Sequence, residues 1–250
     1  MKPEKTGYVQ VAKTGYIQID TAKIYFEIHG SGEKHLLLIH GNGESSSCFK
    51  KQFDDWSKEY TLIAMDSRGQ GRSTFGRKKL TINQIAEDGF ALLEALGVKK
   101  AGVVGFSDGA NAAIAMLLND RNSVIEKAVL AGANLNPKGV KEIYQIPIEL
   151  GFKVLAGKAT RESSARRKLA VMALMVREPD FKPQQLGNIK VPVLVMAGSR
   201  DMIKDAHTKL IAGSIPGSTL KIIQGCDHFV FDHAAGEVNG LVLDFLNGNE

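Results

Sequence analysis

The sequence predicts an α/β architecture in which a mostly parallel sheet carries helices on both faces. Three observations support this. Short apolar runs alternate with stretches of helical apolar spacing along most of the chain. The runs are continuously apolar, as strands covered on both faces are. The connections between them are short, as they are where each helix crosses back over its sheet.

The chain opens differently. Lys5-Thr6-Gly7-Tyr8-Val9-Gln10 is echoed by Lys13-Thr14-Gly15-Tyr16-Ile17-Gln18. The echo is too short and single for a solenoid repeat and reads as one or two edge strands. Lys23 to His29 alternates as a further strand, and Gly30-Ser31-Gly32 is a turn, so the opening is antiparallel. His35 to Ile39 is the first continuous apolar run. A helix is predicted over Phe49 to Trp56 and a strand over Thr61 to Met65. Thr81 to Leu96 has apolar residues at helical spacing, with Thr81 as cap and Gly97 as stop. Strands follow at Ala101 to Phe106, Ile125 to Ala131, Val191 to Ala197 and Thr219 to Ile223. Helices are predicted over Ala110 to Leu118, Lys204 to Ala212 and Ala234 to Leu246.

One stretch interrupts the alternation. Residues 134–187 are irregular, helix-like and rich in Lys and Arg, with apolar residues such as Ile143, Phe152, Met172 and Met175. An insertion of this size between two strands reads as a lid. The organisation is therefore one domain, with a core of residues 1–133 and 188–250 and a lid at 134–187. The lid's charges suit a solvated helix face, or an anion site as the alternative.

Bulk properties exclude several classes. Lys plus Arg exceed Asp plus Glu by 32 − 27, or +5, but the charges are scattered and no basic run is interleaved with aromatics. That gives nucleic-acid binding little support. Met1-Lys2-Pro3-Glu4-Lys5 leads into no apolar segment of signal-peptide type, and no apolar run is long enough to span a bilayer. Two cysteines, Cys48 and Cys226, make no disulfide framework. A cytoplasmic setting without membrane or nucleic-acid partners is expected.

The chemistry centres on Gly105-Phe106-Ser107-Asp108-Gly109, between a strand and a helix. Strand, G-x-S-x-G, helix is the nucleophile elbow, a turn so sharp that a Cβ two residues before or after the serine would clash. Such a serine needs a base, and the base needs an acid to fix its tautomer. His228, in Gly225-Cys226-Asp227-His228-Phe229 after the last strand, is preferred as base over His233, which falls near the final helix. Asp201, ending Ala197-Gly198-Ser199-Arg200-Asp201, is preferred as acid over Asp205. Oxyanion donors are expected at the backbone N–H of Asn42, in His40-Gly41-Asn42-Gly43, and of Asp108 at the start of the following helix. His40 reads as a brace. Met172 and Met175 should line the substrate pocket. No cluster has metal-ligand spacing and no G-x-G-x-x-G follows a strand, so no cofactor is expected and the partner is a small-molecule substrate.

These pieces, with Leu37-Leu38-Ile39 before His40 and with Asp66-Ser67-Arg68-Gly69-Gln70-Gly71-Arg72-Ser73, resemble the α/β-hydrolase superfamily over essentially the whole chain. The order Ser107, Asp201, His228 is that family's order. The Asp66 to Ser73 piece resembles its D-x-R-G-x-G-x-S turn; it lacks the ending of a phosphate loop and reads as structural. The resemblance implies the α/β-hydrolase fold and a serine hydrolase of small esters, lactones, thioesters or activated amides. It leaves a carbon–carbon bond hydrolase or a non-catalytic small-molecule binder as alternatives. The Ser-Asp-Gly elbow is similar to that of valacyclovir hydrolase-like enzymes. That likeness implies that the Asp108 carboxylate receives a cationic substrate group; the alternative is that it turns away and bonds to a neighbour.

Overall fold

The computed structural model describes residues 13–159 and 163–249. The first half of the N-terminal echo lies outside the described residues; the second half forms β1 (Lys13–Ile19). The remaining strands are β2 (Ala22–His29), β3 (Lys34–Ile39), β4 (Tyr60–Met65), β5 (Ala101–Phe106), β6 (Ile125–Ala131), β7 (Val193–Gly198) and β8 (Thr219–Ile223). They form one sheet in the order β1-β2-β4-β3-β5-β6-β7-β8. The pairs β1/β2 and β2/β4 are antiparallel, and from β4 to β8 every pair is parallel. The continuous apolar run of β3 shows why. Leu37 and Ile39 enter one core layer, while Leu36 and Leu38 enter the other, so these four consecutive side chains are all buried.

The helices are α1 (Phe53–Trp56), α2 (Ile82–Ala95), α3 (Asp108–Asn119), α4 (Glu142–Ala159), α5 (Ser163–Arg177), α6 (Pro183–Leu186), α7 (Asp205–Ser214), α8 (Val230–His233) and α9 (Ala235–Asn247). Thr81 caps α2 by accepting the Gln84 N–H at 3.0 Å. The helix predicted over Phe49 to Trp56 is two pieces, a 3₁₀ turn over Ser46–Phe49 and then α1. The apolar spacing survives the break because Phe49, Phe53 and Trp56 are all buried. Between the pieces, the buried Gln52 amide donates to the Phe231 carbonyl and to Asn239 Oδ1. His233 ends the short α8 and precedes the final helix.

The insertion is more regular than its sequence suggests. A 3₁₀ turn over Pro137–Gly139 leads into α4 and α5, which pack against each other. The pattern is blurred because α4 leaves Ile143, Ile146, Leu150 and Val154 exposed, Ile143 by 76%. A helix with apolar residues on its outer face loses the polar stripe by which a surface helix is recognised. The stem of the insertion is fastened to the core: Val140 bridges Ile203, Lys141 N–H donates to the Met202 carbonyl and Lys204 N–H to that of Gly139. Among the described residues no helix is long and apolar enough to cross a membrane.

Candidate active site

Strand register sets the site. Ile39 at the end of β3 pairs with Gly105 near the end of β5, so the loop from His40 and the turn at Ser107 leave the sheet side by side. The loops after β7 and β8 leave from the same C-terminal edge, where parallel sheets gather their ligand sites. Ser107 has φ +54° and ψ −118°, a strained conformation at the mouth of α3. The two flanking glycines are required by closeness. A Cβ on Gly105 would sit 2.3 Å from the Gly109 carbonyl oxygen, and one on Gly109 would sit 1.9 Å from that of Ile39.

Three loops bring three side chains into one chain of hydrogen bonds. His228 Nε2 lies 3.0 Å from Ser107 Oγ, and His228 Nδ1 lies 2.7 Å from Asp201 Oδ1. Asp201 is enclosed, and the same oxygen accepts the Ile203 N–H at 2.9 Å. The rivals are elsewhere. His233 is half exposed and bonds Asp227 at 2.8 Å, and Asp205 is on α7 with its carboxylate in solvent beside Lys141. His40 is a brace, as expected: its Nε2 accepts the Ser67 N–H at 2.9 Å and its Nδ1 donates to the Gly41 carbonyl at 2.7 Å.

The loop after β3 has its donors sorted. The Gly41 N–H donates to Glu44 Oε2 at 3.1 Å, and the Gly43 N–H to Gln70 Oε1 at 2.6 Å. The Asn42 N–H takes part in no hydrogen bond among the described residues. It therefore stays available beside the elbow, as does the N–H of Asp108 in the first turn of α3, where helical N–H groups lack internal partners.

The Asp108 carboxylate is itself occupied. It accepts from the Asn42 side-chain amide at 2.8 Å and from that of Asn111 at 3.3 Å, and the residue is 5% exposed. Burial pushes its carboxyl up to about 6, against the pull of those two amides. Of the two expectations for this carboxylate, the geometry shows bonds to neighbouring side chains, and like Ser107 it lines neither cleft at the site. The Asn42 amide also donates to the Val171 carbonyl of α5 at 2.8 Å, tying the loop, the elbow and the insertion together.

Two clefts flank the elbow, and Gly43 belongs to both. One, of about 650 Å³, is lined by Glu44, Cys48, Phe106, Phe229 and His233 among others. Burial raises the Glu44 carboxyl above its usual range, while the Gly41 N–H and the nearby His228 pull it down. The other, of about 750 Å³, runs under the insertion and includes Asn42, Met172 and Met175. Ser107 itself lines neither; its neighbour Phe106 faces the first, and Asn42 faces the second.

Some contributors have no local signature in the sequence. Gly132, at φ +65°, backs the imidazole so closely that a Cβ would stand 2.7 Å from His228 Cε1. Lys141, in the insertion's stem, donates to the Asp201 carbonyl at 2.6 Å. Asn111 and Asn134 bond each other twice behind Asp108. Gln70 lies in the Asp66 to Ser73 piece, whose regularity was a visible signal of importance but not of its tie to Gly43.

Comparison with known proteins agrees with this geometry. Residues 34–150 match a family described as "alpha/beta hydrolase fold". A "Magnesium-chelatase 30 kDa subunit" of Rhodobacter capsulatus is 28% identical, over 85% of this chain and 87% of that protein. A "2-hydroxy-6-oxononadienedioate/2-hydroxy-6-oxononatrienedioate hydrolase 2" of Pseudomonas putida is 25% identical, over 95% and 97%. The enol-lactonase from Burkholderia xenovorans LB400 superposes with a TM-score of 0.79 at 19% identity, over 93% of this chain and 100% of that one, and carries the same fold. The chain has the α/β-hydrolase fold and is an enzyme. The relatives' names differ from one another, so the substrate must be argued from the site.

Proposed function

We propose that the protein is a serine hydrolase that cleaves a small-molecule ester, lactone, thioester or activated amide through an acyl-enzyme on Ser107. The carrying observation is the continuous Ser107–His228–Asp201 hydrogen-bond chain. In this reading His228 Nε2 takes the Ser107 proton as Oγ attacks the carbonyl carbon. The carbonyl oxygen becomes an oxyanion, held by the N–H groups of Asn42 and Asp108. His228 then returns the proton to the leaving group as the tetrahedral intermediate collapses. Water, deprotonated by the same imidazole, releases the acid and restores Ser107. Asp201 holds the Nδ1–H tautomer and balances the imidazolium that forms. Residues 134–187 serve as the lid, and Met172 and Met175 line the acyl side of the pocket.

The test is hydrolysis of 4-nitrophenyl acetate together with labelling by a fluorophosphonate. Wild type should hydrolyse the ester and gain one phosphonyl adduct on Ser107. Hydrolysis that continues undiminished in Ser107→Ala would sink the reading. The Pseudomonas putida relative supports a second reading on the same residues, hydrolysis of a carbon–carbon bond.

Asp108 is proposed as a positioning residue acting through Asn42. Asn at this position brings an N–H₂ group toward two amide donors, and one of the bonds to Asn42 or Asn111 must be lost. Asp108→Asn should therefore lower kcat by about tenfold for neutral and aminoacyl esters alike, less than the roughly 10²-fold that outright removal of an oxyanion donor costs. A loss confined to aminoacyl esters would return the carboxylate to the substrate.

A further inference from the structure

The insertion's cations are not all alike. Lys182 pairs with Asp180, Arg177 stacks on Phe152 and Lys141 holds the Asp201 carbonyl. Among the insertion's cations without such a partner, three line a cleft. Lys158, in the last turn of α4, and Arg167 and Lys168, in the second turn of α5, are exposed, and none pairs with a carboxylate among the described residues. The helices that carry them, α4 and α5, pack against each other. All three line the second cleft.

The rest of that cleft is mainly apolar, with Val154, Leu155, Val171 and Met172 in its walls. Its lining also includes Asn42, whose side chain bonds both Asp108 and the Val171 carbonyl. Arg167 and Lys168 precede Val171 by about one helical turn, or roughly 5 Å along the axis. An apolar cleft with the Asn42 loop of the candidate oxyanion site in its wall, and with cations that pair with no carboxylate among the described residues, suits an amphipathic anion.

We infer that this cleft takes an acyl chain that ends in a carboxylate or similar anion, with the charge held by Lys158, Arg167 and Lys168. The inference rests on the reading of Ser107 as the nucleophile, and it names that enzyme's substrate class. Asp108 does not oppose it, because its carboxylate is enclosed, bonded to two amides and not itself part of the cleft lining. A converging field of this kind raises the local concentration of anions and acts chiefly through KM. Cations on a merely solvated helix face would not distinguish two esters that differ only in the charge at the far end.

The experiment compares 4-nitrophenyl hexanoate with the mono-4-nitrophenyl ester of adipic acid. Wild type should favour the adipate ester in kcat/KM by about tenfold at low salt, and the preference should shrink as NaCl is raised. The triple variant Lys158→Glu, Arg167→Glu, Lys168→Glu should reverse the preference. Lys209→Glu, a change of the same kind on the exposed surface of α7, should keep it. Equal kcat/KM for the two esters in wild type, or a preference that survives the triple reversal, would overturn the inference. A separate arm keeps the two readings apart. Titration calorimetry of Ser107→Ala with adipamic acid and with hexanamide reads the cleft without turnover. Tighter binding of adipamic acid that the triple reversal abolishes supports the anion site, and equal binding of the two overturns it. Persistent ester hydrolysis by Ser107→Ala would count against the nucleophile alone.

Discussion

Ser107→Ala and His228→Ala are each expected to lower kcat by roughly 10⁴-fold or more, and the double variant should be little worse than either single one. The non-additivity follows from the geometry. Oγ stands 3.0 Å from Nε2, so the serine is a useful nucleophile only while the imidazole accepts its proton, and the imidazole has no other proton donor to serve. Asp201→Asn should cost a similar factor by favouring the wrong tautomer, since Asp201 Oδ1 is the acceptor for Nδ1 at 2.7 Å. His233→Ala should retain activity, because that ring is half exposed and engaged with Asp227. Steady-state kinetics on 4-nitrophenyl acetate for the five variants decide this. Retained activity in His228→Ala with loss in His233→Ala would move the base to the other histidine.

How much of this was legible in the sequence follows the range of each interaction. The sheet was, because residues 36–39 of β3, 103–106 of β5, 128–131 of β6 and 193–198 of β7 are buried and so are written as unbroken apolar runs. The elbow was, because Gly105 and Gly109 answer to contacts within a few residues or with the adjacent β3. His228 and Asp201 could be singled out because each follows a strand on the edge where such strands end. The break between Ser46–Phe49 and α1 was not, since the buried bonds of Gln52 go to Phe231 and Asn239, some 180 residues away. Nor were the helices of the insertion, whose apolar residues face outward on α4 as well as inward. Asp108 was legible as unusual, and its role was left open between substrate and neighbour. The structure supplies what the sequence lacked, the amides of Asn42 and Asn111 arriving from different elements. Gly132 and Lys141 illustrate the same limit, for their partners are His228 and Asp201 and neither is a sequence neighbour.

Arg68→Met is expected to cost about 3–5 kcal/mol of folding stability, the largest effect of any single change considered outside the catalytic groups. Arg68 and Asp88 are both fully enclosed. The guanidinium donates Nε–H to Asp88 Oδ2 at 2.8 Å and Nη2–H to Asp88 Oδ1 at 2.7 Å, a bidentate pair, and Nη1–H to the Phe75 carbonyl at 3.0 Å. Enclosure of this kind excludes a phosphate-binding role for the Asp66 to Ser73 turn, because no anion could reach Arg68 without displacing Asp88. The turn works instead as a frame. The Asp66 carboxylate accepts the N–H groups of Ser46 and Arg72, both at 2.7 Å, and Gln70 holds the Gly43 N–H next to Asn42. Removing the guanidinium strands the Asp88 carboxylate in the core with only the Gln84 amide at 3.0 Å as donor. Removing both charges is less severe: Arg68→Met with Asp88→Leu leaves no buried ion and replaces the pair with apolar volume, so the double variant should recover part of the loss. Urea unfolding of wild type, Arg68→Met and the double variant measures all three. A double variant that is less stable than Arg68→Met would mean that the cost lies in lost packing around α2 and not in an unpaired charge.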